Sequence, residues 1–213
     1  MYLHTREYYQ RQLTVPNASG LSANGEPDKL EVLADGVPRM FLQNALGNVL
    51  FNELDSYVTN GVLDSGAPQK WLNLVNGVEY TKDNTLKTWK GLTYSDGAFK
   101  TSILAYATYY HWLIDNVSNT TNFGEVVGKS KGAENVDSTQ KVVEIWNELV
   151  KMNQSYYNYK RANISYVNGV RFTDWFINST DNYVSLVTFL QDNESDYPNA
   201  TCRLYEVKNQ FGI

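Results

Sequence analysis

The sequence predicts a mainly α protein, a helical bundle with small β-hairpin and strand additions, especially after residue 160. Three observations lead there. Apolar residues recur at helical spacing over the longest patterned segments, near residues 38–59, 95–117 and 138–156. Alternating runs are short and bounded by turn pairs such as Asp83-Asn84 and Asn168-Gly169. The chain has 213 residues, 19% charged and 14% aromatic, which is enough apolar material for one full core with extensions.

Residues 1–36 have little apolar periodicity and contain PNASGLSANGEPD, so they read as an extended arm with Tyr2, Leu3, Tyr8 and Tyr9 to dock it. A helix is expected from about Pro38 to Thr59. Proline suits the first turn, and Phe41, Ala45, Leu46, Val49, Leu50, Leu54 and Tyr57 form a stripe. Gly47 in its middle suggests another backbone crossing closely, and Asn60-Gly61 reads as its C-cap. A short helix, APQKWLNLVNG, follows, and residues 78–90 form a hairpin around Asp83-Asn84. Ser95-Asp96 is a plausible N-cap for the aromatic helix AFKTSILAYATYYHWLIDNV, which is apolar on most sides and so is central or faces a neighbour too.

Asp137-Ser138 caps a fourth helix with Val142, Ile145, Trp146, Leu149, Met152 and Tyr156 inward. Beyond Arg161 the pattern alternates around Asn168-Gly169, a type I′ hairpin signal. A last short helix, DNYVSLVTFLQDN, precedes a terminal strand near Cys202 to Val207. The organisation expected is thus an arm (1–36), a helical core (37–160), and a C-terminal hairpin, helix and strand packed on it (161–213). One helical core should join Phe41, Leu46, Leu50, Phe99, Ile103, Tyr106, Ile145, Trp146 and Leu149.

A net charge of −5 argues against sequence-independent nucleic-acid binding, which needs clustered Lys and Arg to displace counterions. No apolar run approaches the roughly 20 residues of a membrane span, and MYLHTREYYQRQ lacks an apolar signal core, so a chain made without export is expected. The Asn-x-Ser/Thr sequons then carry no glycosylation meaning. Cys202 is the single cysteine, and its alternating context suits a packed strand thiol.

Candidate chemistry fails on spacing. GEVVGKS, from Gly124 to Ser130, is one residue short of a phosphate loop and has no apolar strand before it. Glu144 and Glu148 sit one turn apart on a polar face beside Lys141 and Lys151, a solvated surface. Asp192, Glu194 and Asp196 alternate as calcium loops do but lack the glycine and closing glutamate. His4 and His111 have no zinc spacing. No catalytic residue, cofactor or metal is expected.

Several segments share a family likeness. The first helix carries FLQNALGNVLFNEL, with its mid-helix Leu-Gly pair. Then come Trp71-Leu72-Asn73-Leu74-Val75-Asn76-Gly77 with Tyr80, Lys90-Gly91-Leu92, LAYATYYHWL, and the block NFGEVVGKSKGAENVDSTQKVVEIWNELV. Together they resemble head-to-tail connector (neck or adaptor ring) proteins of tailed bacteriophages, of the crAss-like podophage type, over roughly Pro38 to Lys151. The resemblance implies a structural virion protein: a mostly helical adaptor, non-enzymatic, assembled in the host bacterial cytoplasm as a closed ring, commonly a dodecamer. Such a ring joins the portal protein to tail or further neck proteins, with DNA only as non-specific cargo through its channel and no membrane contact.

A heterologous ring needs two complementary surfaces per chain, and Tyr- and Trp-rich helices with few charges supply them. Tyr2, Tyr8, Tyr9, Tyr109 and Trp112 are the candidate subunit-interface residues. The alternative is a carbohydrate- or surface-binding module of a phage tail or bacterial surface, since exposed Tyr, Trp and Asn suit sugar stacking.

Overall fold

A computed structural model describes residues 3–15, 29–117, 119–121, 124–126, 138–154, 166–167, 170–171 and 183–200. Two 3-10 turns, Arg6–Tyr8 and Arg11–Leu13, precede the long helix α1 (Lys29–Asp55). The hairpin β1 (Val58–Thr59) and β2 (Val62–Leu63) leads to α2 (Gln69–Asn76). Two more hairpins follow, β3 (Val78–Lys82) with β4 (Thr85–Trp89), and β5 (Thr93–Asp96) with β6 (Phe99–Ser102). The aromatic helix α3 (Ile103–Val117), a small pair β7 (Asn119–Thr121) and β8 (Gly124–Val126), and α4 (Ser138–Asn153) come next. The pair β9 (Tyr166–Val167) and β10 (Val170–Arg171), β11 (Tyr183–Val184) and α5 (Leu186–Asp192) complete the described chain.

The fold is mixed α/β, 56% helical and 18% strand among the described residues, and this corrects the expectation of a mainly α helical bundle. The strands that sequence periodicity missed are made by turns. Asn60-Gly61 does not cap a helix; both residues have positive φ (51° and 80°), and the pair turns β1 into β2. Ser95-Asp96 is likewise not an N-cap. Asp96 pairs with Phe99 across a turn in which Gly97 takes φ 55°, so the first residues assigned to the aromatic helix form a hairpin instead. The helix starts at Ile103, where the buried Ser102 hydroxyl accepts from the Leu104 and Ala105 amides at 3.2 and 3.3 Å.

Helix α1 starts at Lys29 rather than near Pro38, and Pro38 lies inside it. Gly47 breaks its regularity with φ 77° and ψ 163°, a backbone state only glycine adopts readily. A Cβ built there meets nothing within 4 Å, so the close backbone crossing expected at Gly47 is not there. It lies instead between Gly77 and Gly91. A Cβ on Gly91 (φ 93°) would stand 2.5 Å from the Val75 carbonyl oxygen, and one on Gly77 (φ 91°) 2.6 Å from that of Trp89. The crossing satisfies carbonyls that the end of α2 would otherwise leave unpaired. Leu74 O accepts from Trp89 Nε1 (2.9 Å) and the Leu92 amide (3.1 Å), and Val75 O from the Thr93 hydroxyl (3.2 Å).

Two packed regions share one core. In the first, α3 lies between α1 and α4, burying Ile103, Leu104, Ala105 and Tyr109 against Leu42, Leu46, Ile145 and Leu149. In the second, β4 is central in a three-stranded sheet, antiparallel to β3 and parallel to β11 with Val184 opposite Trp89. Phe189 of α5 stacks on Trp89 (5.5 Å between centroids, 15°), and Tyr197 bridges Phe189 and Trp71 at 5.6 and 5.8 Å. The Tyr197 hydroxyl donates to the Lys70 carbonyl. Asp192 ties α5 to the sheet, accepting from Lys87 Nζ at 2.7 Å and the Tyr80 hydroxyl at 2.8 Å.

Of the expected helical core, Phe41, Leu46, Leu50, Ile103, Tyr106, Ile145 and Leu149 are buried together. Phe99 is a half-buried strand residue and Trp146 is half-buried at the edge. The first segment also contributes: Leu3 and Leu13 belong to the core cluster.

Candidate subunit-contact surface

Helix α3 is apolar nearly all round, and the fold divides its aromatics. From Ile103 through Tyr109 every residue is buried, whereas Tyr110, His111, Trp112 and Leu113 are half-exposed. Tyr109 is enclosed by its own chain at 0% exposure. Its ring stacks on Trp112 (5.3 Å, 20°), and its hydroxyl accepts from Lys141 Nζ at 2.7 Å and donates to the Thr14 carbonyl at 3.3 Å.

Tyr9 is held within the chain as well. Its hydroxyl lies 2.8 Å from Nε2 of the buried His4, and burial pushes its ionisation well above the ordinary tyrosine range. Tyr8 is half-buried beside a cavity of about 350 Å³, and Tyr2 lies outside the described residues. Tyr8, Tyr9 and Trp112 are therefore the described interface candidates that are only partly buried, and Tyr109 is the one that is enclosed.

A second surface feature joins α1, α3 and α4. A depression of about 180 Å³ is lined by Met40, Asn44, Tyr110, His111 and Trp146 over a floor of Val37, Phe41, Ala107 and Leu149, with no carboxylate, lysine or arginine among them. Met40 is 50% exposed at its rim. Tyr110 and Trp146 touch at 4.7 Å between centroids. Burial raises the Tyr110 ionisation and holds the His111 imidazole below its usual range, with Asp115 acting weakly the other way. The sequence places Trp146 in the expected core, and the structure puts it at the margin beside Tyr110. The local signal for Tyr110 is the polar His111 next to it; for Trp146 it is the flanking Asn147 and Glu148.

The candidate chemical groups do not converge. Glu144 accepts from Gln140 at 2.8 Å and Glu148 pairs with Lys151 at 2.7 Å, each within its own helix. Asp192 is committed to Lys87 and Tyr80, while Glu194 and Asp196 point to solvent. Among the described residues no group of His, Cys, Asp or Glu is arranged to hold a metal ion. Residues 127–137, most of the glycine-lysine loop, and Cys202 to Val207, the expected terminal strand, lie outside the described residues. No described helix is long and apolar enough to cross a membrane.

Sugar stacking needs exposed aromatic faces; Trp71 and Trp89 are fully buried and cannot supply them, with Trp71 Nε1 donating to Glu53 at 3.2 Å and Trp89 Nε1 to a carbonyl, whereas Trp112 and Trp146 are partly exposed. The depression between the three helices is an uncharged, partly aromatic surface among the described residues. Compared with protein families, curated proteins and solved structures, the chain matches none, so this assignment stands on its own geometry.

Proposed function

We propose that the chain is a structural ring subunit of a tailed-phage neck, joining portal to tail and surrounding the channel through which DNA leaves the head. The observation that carries this reading is the α1–α3–α4 depression. It presents Met40, Tyr110, His111 and Trp146 with no charged side chain to desolvate, and aromatic and Met side chains of this kind form the energetic centre of protein interfaces. A stable contact buries about 800 Å² per partner, so the depression would serve as the anchor of a wider patch.

In a ring each subunit meets two neighbours through different faces, and a face complementary to this one completes the contact. The resemblance over Pro38 to Lys151 supports the placement in a neck, and the net charge of −5 suits a wall that DNA must pass without being held.

The test is oligomeric state together with location. Mass photometry and negative-stain microscopy of the purified chain should show closed rings, and labelled particles should carry the protein at the neck. A chain that stays monomeric at high concentration and is absent from the neck refutes the reading.

A further inference from the structure

Residues 3–15 run across the core as a strap, and their fit is unlike that of the helices. Three buried residues, Leu3 and His4 near one end and Leu13 near the other, anchor it. The links to the body are spread along its length: the Leu3 amide to the Gly61 carbonyl at 2.9 Å, Glu7 to Lys100, Gln12 to the Tyr106 hydroxyl, Arg6 to Glu31 at 4.0 Å, the Arg11 guanidinium over the Phe99 ring at 4.8 Å, and the Thr14 carbonyl accepting from Tyr109 at 3.3 Å.

Two cavities lie between the strap and the body of the chain. One, about 350 Å³, is bounded by Arg11 and Leu13 on the strap and Phe99 and Met152 on the core. The other, about 240 Å³, is bounded by His4 and Tyr9 on the strap and Leu30 and Ala34 on α1. Both open to solvent, so the strap's edges are not sealed against the body of the chain. The strap backbone is strained too, with Leu3 at φ 52° and Arg11 at φ 55°, left-handed conformations that bulky side chains disfavour. Strain, solvent-open clefts along its edges and scattered links mark it as a segment of low local stability.

We propose that this strap is exchanged on assembly, so that residues 3–15 of one copy occupy the Leu30–Phe99–Tyr106 groove of a neighbouring copy. The partner is a second copy of this chain because the groove is already shaped to this segment. Exchange preserves the strap's contacts and adds new ones where the chains cross, which makes swapping an inexpensive route to association. Residues 16–28 connect the strap to α1; their sequence holds Leu21 as its one large apolar residue and, fully extended, could reach roughly 45 Å. The proposal rests on the ring reading for its setting, but exchange and ring closure are separable.

Glu7 and Lys100 face each other at the surface, so their replacement leaves the core untouched. In a Cys202→Ser background, chains carrying only Glu7→Cys are mixed with differently sized chains carrying only Lys100→Cys, allowed to assemble, and treated with a short bismaleimide. Random mixing in a ring predicts covalent heterodimers at roughly a quarter of the strap contacts. The double variant Glu7→Cys/Lys100→Cys, held as dilute monomer, should instead cross-link within one chain.

Heterodimers in rings support the proposal. Heterodimers in a simple swapped dimer support exchange while refuting the ring. Rings without heterodimers, the double variant linking only internally, overturn exchange and leave the ring standing. A monomer with internal links alone overturns both.

Discussion

The Gly77–Gly91 crossing predicts a contrast between two substitutions that look alike on paper. Gly91→Ala and Gly47→Ala each add one methyl group to a glycine of positive φ, 93° and 77°. At Gly47 the new Cβ meets nothing, so the cost is backbone strain alone, about 1–3 kcal/mol. At Gly91 it also strikes three backbone atoms, Val75 O at 2.5 Å and Asn76 C and Gly77 N at 2.7 Å. Backbone cannot swing aside as a side-chain tip can. Opening the crossing would also pull Trp89 Nε1, the Leu92 amide and the Thr93 hydroxyl from their acceptors on α2.

Overpacking adds about 1–3 kcal/mol to the strain, giving about 2–6 kcal/mol for Gly91→Ala. That is a large share of a typical stability of about 5–15 kcal/mol. Urea melts followed by the fluorescence of the buried Trp71 and Trp89 would measure both variants beside the wild type. Gly91→Ala should lose about twice as much stability as Gly47→Ala or more, or fail to fold. Equal losses would show that the crossing yields freely, and the account of why glycine occupies both sides of it would be wrong.

Further outcomes follow from the same packing. Trp89→Ala should cost about 3–5 kcal/mol through its cavity, whereas Trp146→Ala, at a half-exposed rim, should cost less than about 1.5 kcal/mol while reducing ring yield; a large loss in the melt of Trp146→Ala would return that residue to the core. Asp192→Ala strands Lys87 and Tyr80 between α5 and the sheet and should cost about 1.5–3 kcal/mol, with Asp196→Ala, in an exposed loop, as the neutral control in the same melts. His111 has its folded ionisation held below the unfolded value near 6.5. The unfolded chain therefore binds the proton first, so the contribution is intact above that value and is lost as pH falls toward the folded one. A His111→Gln chain should lose less stability than wild type between pH 7 and pH 5 in chemical melts, and parallel curves would remove His111 as a source of acid sensitivity.

Local chemistry was legible in the sequence, and partnership at a distance was not. The β3–β4 hairpin follows from Asp83-Asn84 (φ 51° and 58°) between alternating runs, and α2 from one apolar face ending at Gly77. Asn60-Gly61 was misread because the same pair can end a helix or turn a hairpin, and the helix before it already stops at Asp55. The parallel pairing of β11 with β4 joins Tyr183 to Thr88 across the whole middle of the chain, and no spacing rule reaches that far. In α3 both faces are apolar, so periodicity could not tell that Tyr109 is enclosed while Tyr110 lies at the surface; the identity of the neighbouring helices decides it.

That distinction bears on what aromatic richness means. With 16 tyrosines and 5 tryptophans, the composition suggests sticky surfaces, yet much of this aromatic material works inside the chain. Trp71, Trp89, Tyr109 and Tyr197 are fully buried, and each has its polar atom engaged by Glu53, Leu74, Lys141 with Thr14, or Lys70. Aromatics with a polar tip suit a core in which hairpins and helix ends meet, because one side chain can fill volume and satisfy a stray carbonyl. Composition alone therefore overstates the surface available for assembly. What carries the contact argument is narrower: Tyr110, His111 and Trp146 gathered at an uncharged depression, and a strap with strained backbone flanked by solvent-open clefts. If assembly uses both, substitutions at Trp146 and at Leu13 should weaken it independently, since the depression and the strap groove lie against different parts of α4 and have separate linings. Losses in ring yield that failed to add would mean that the two features form one contact.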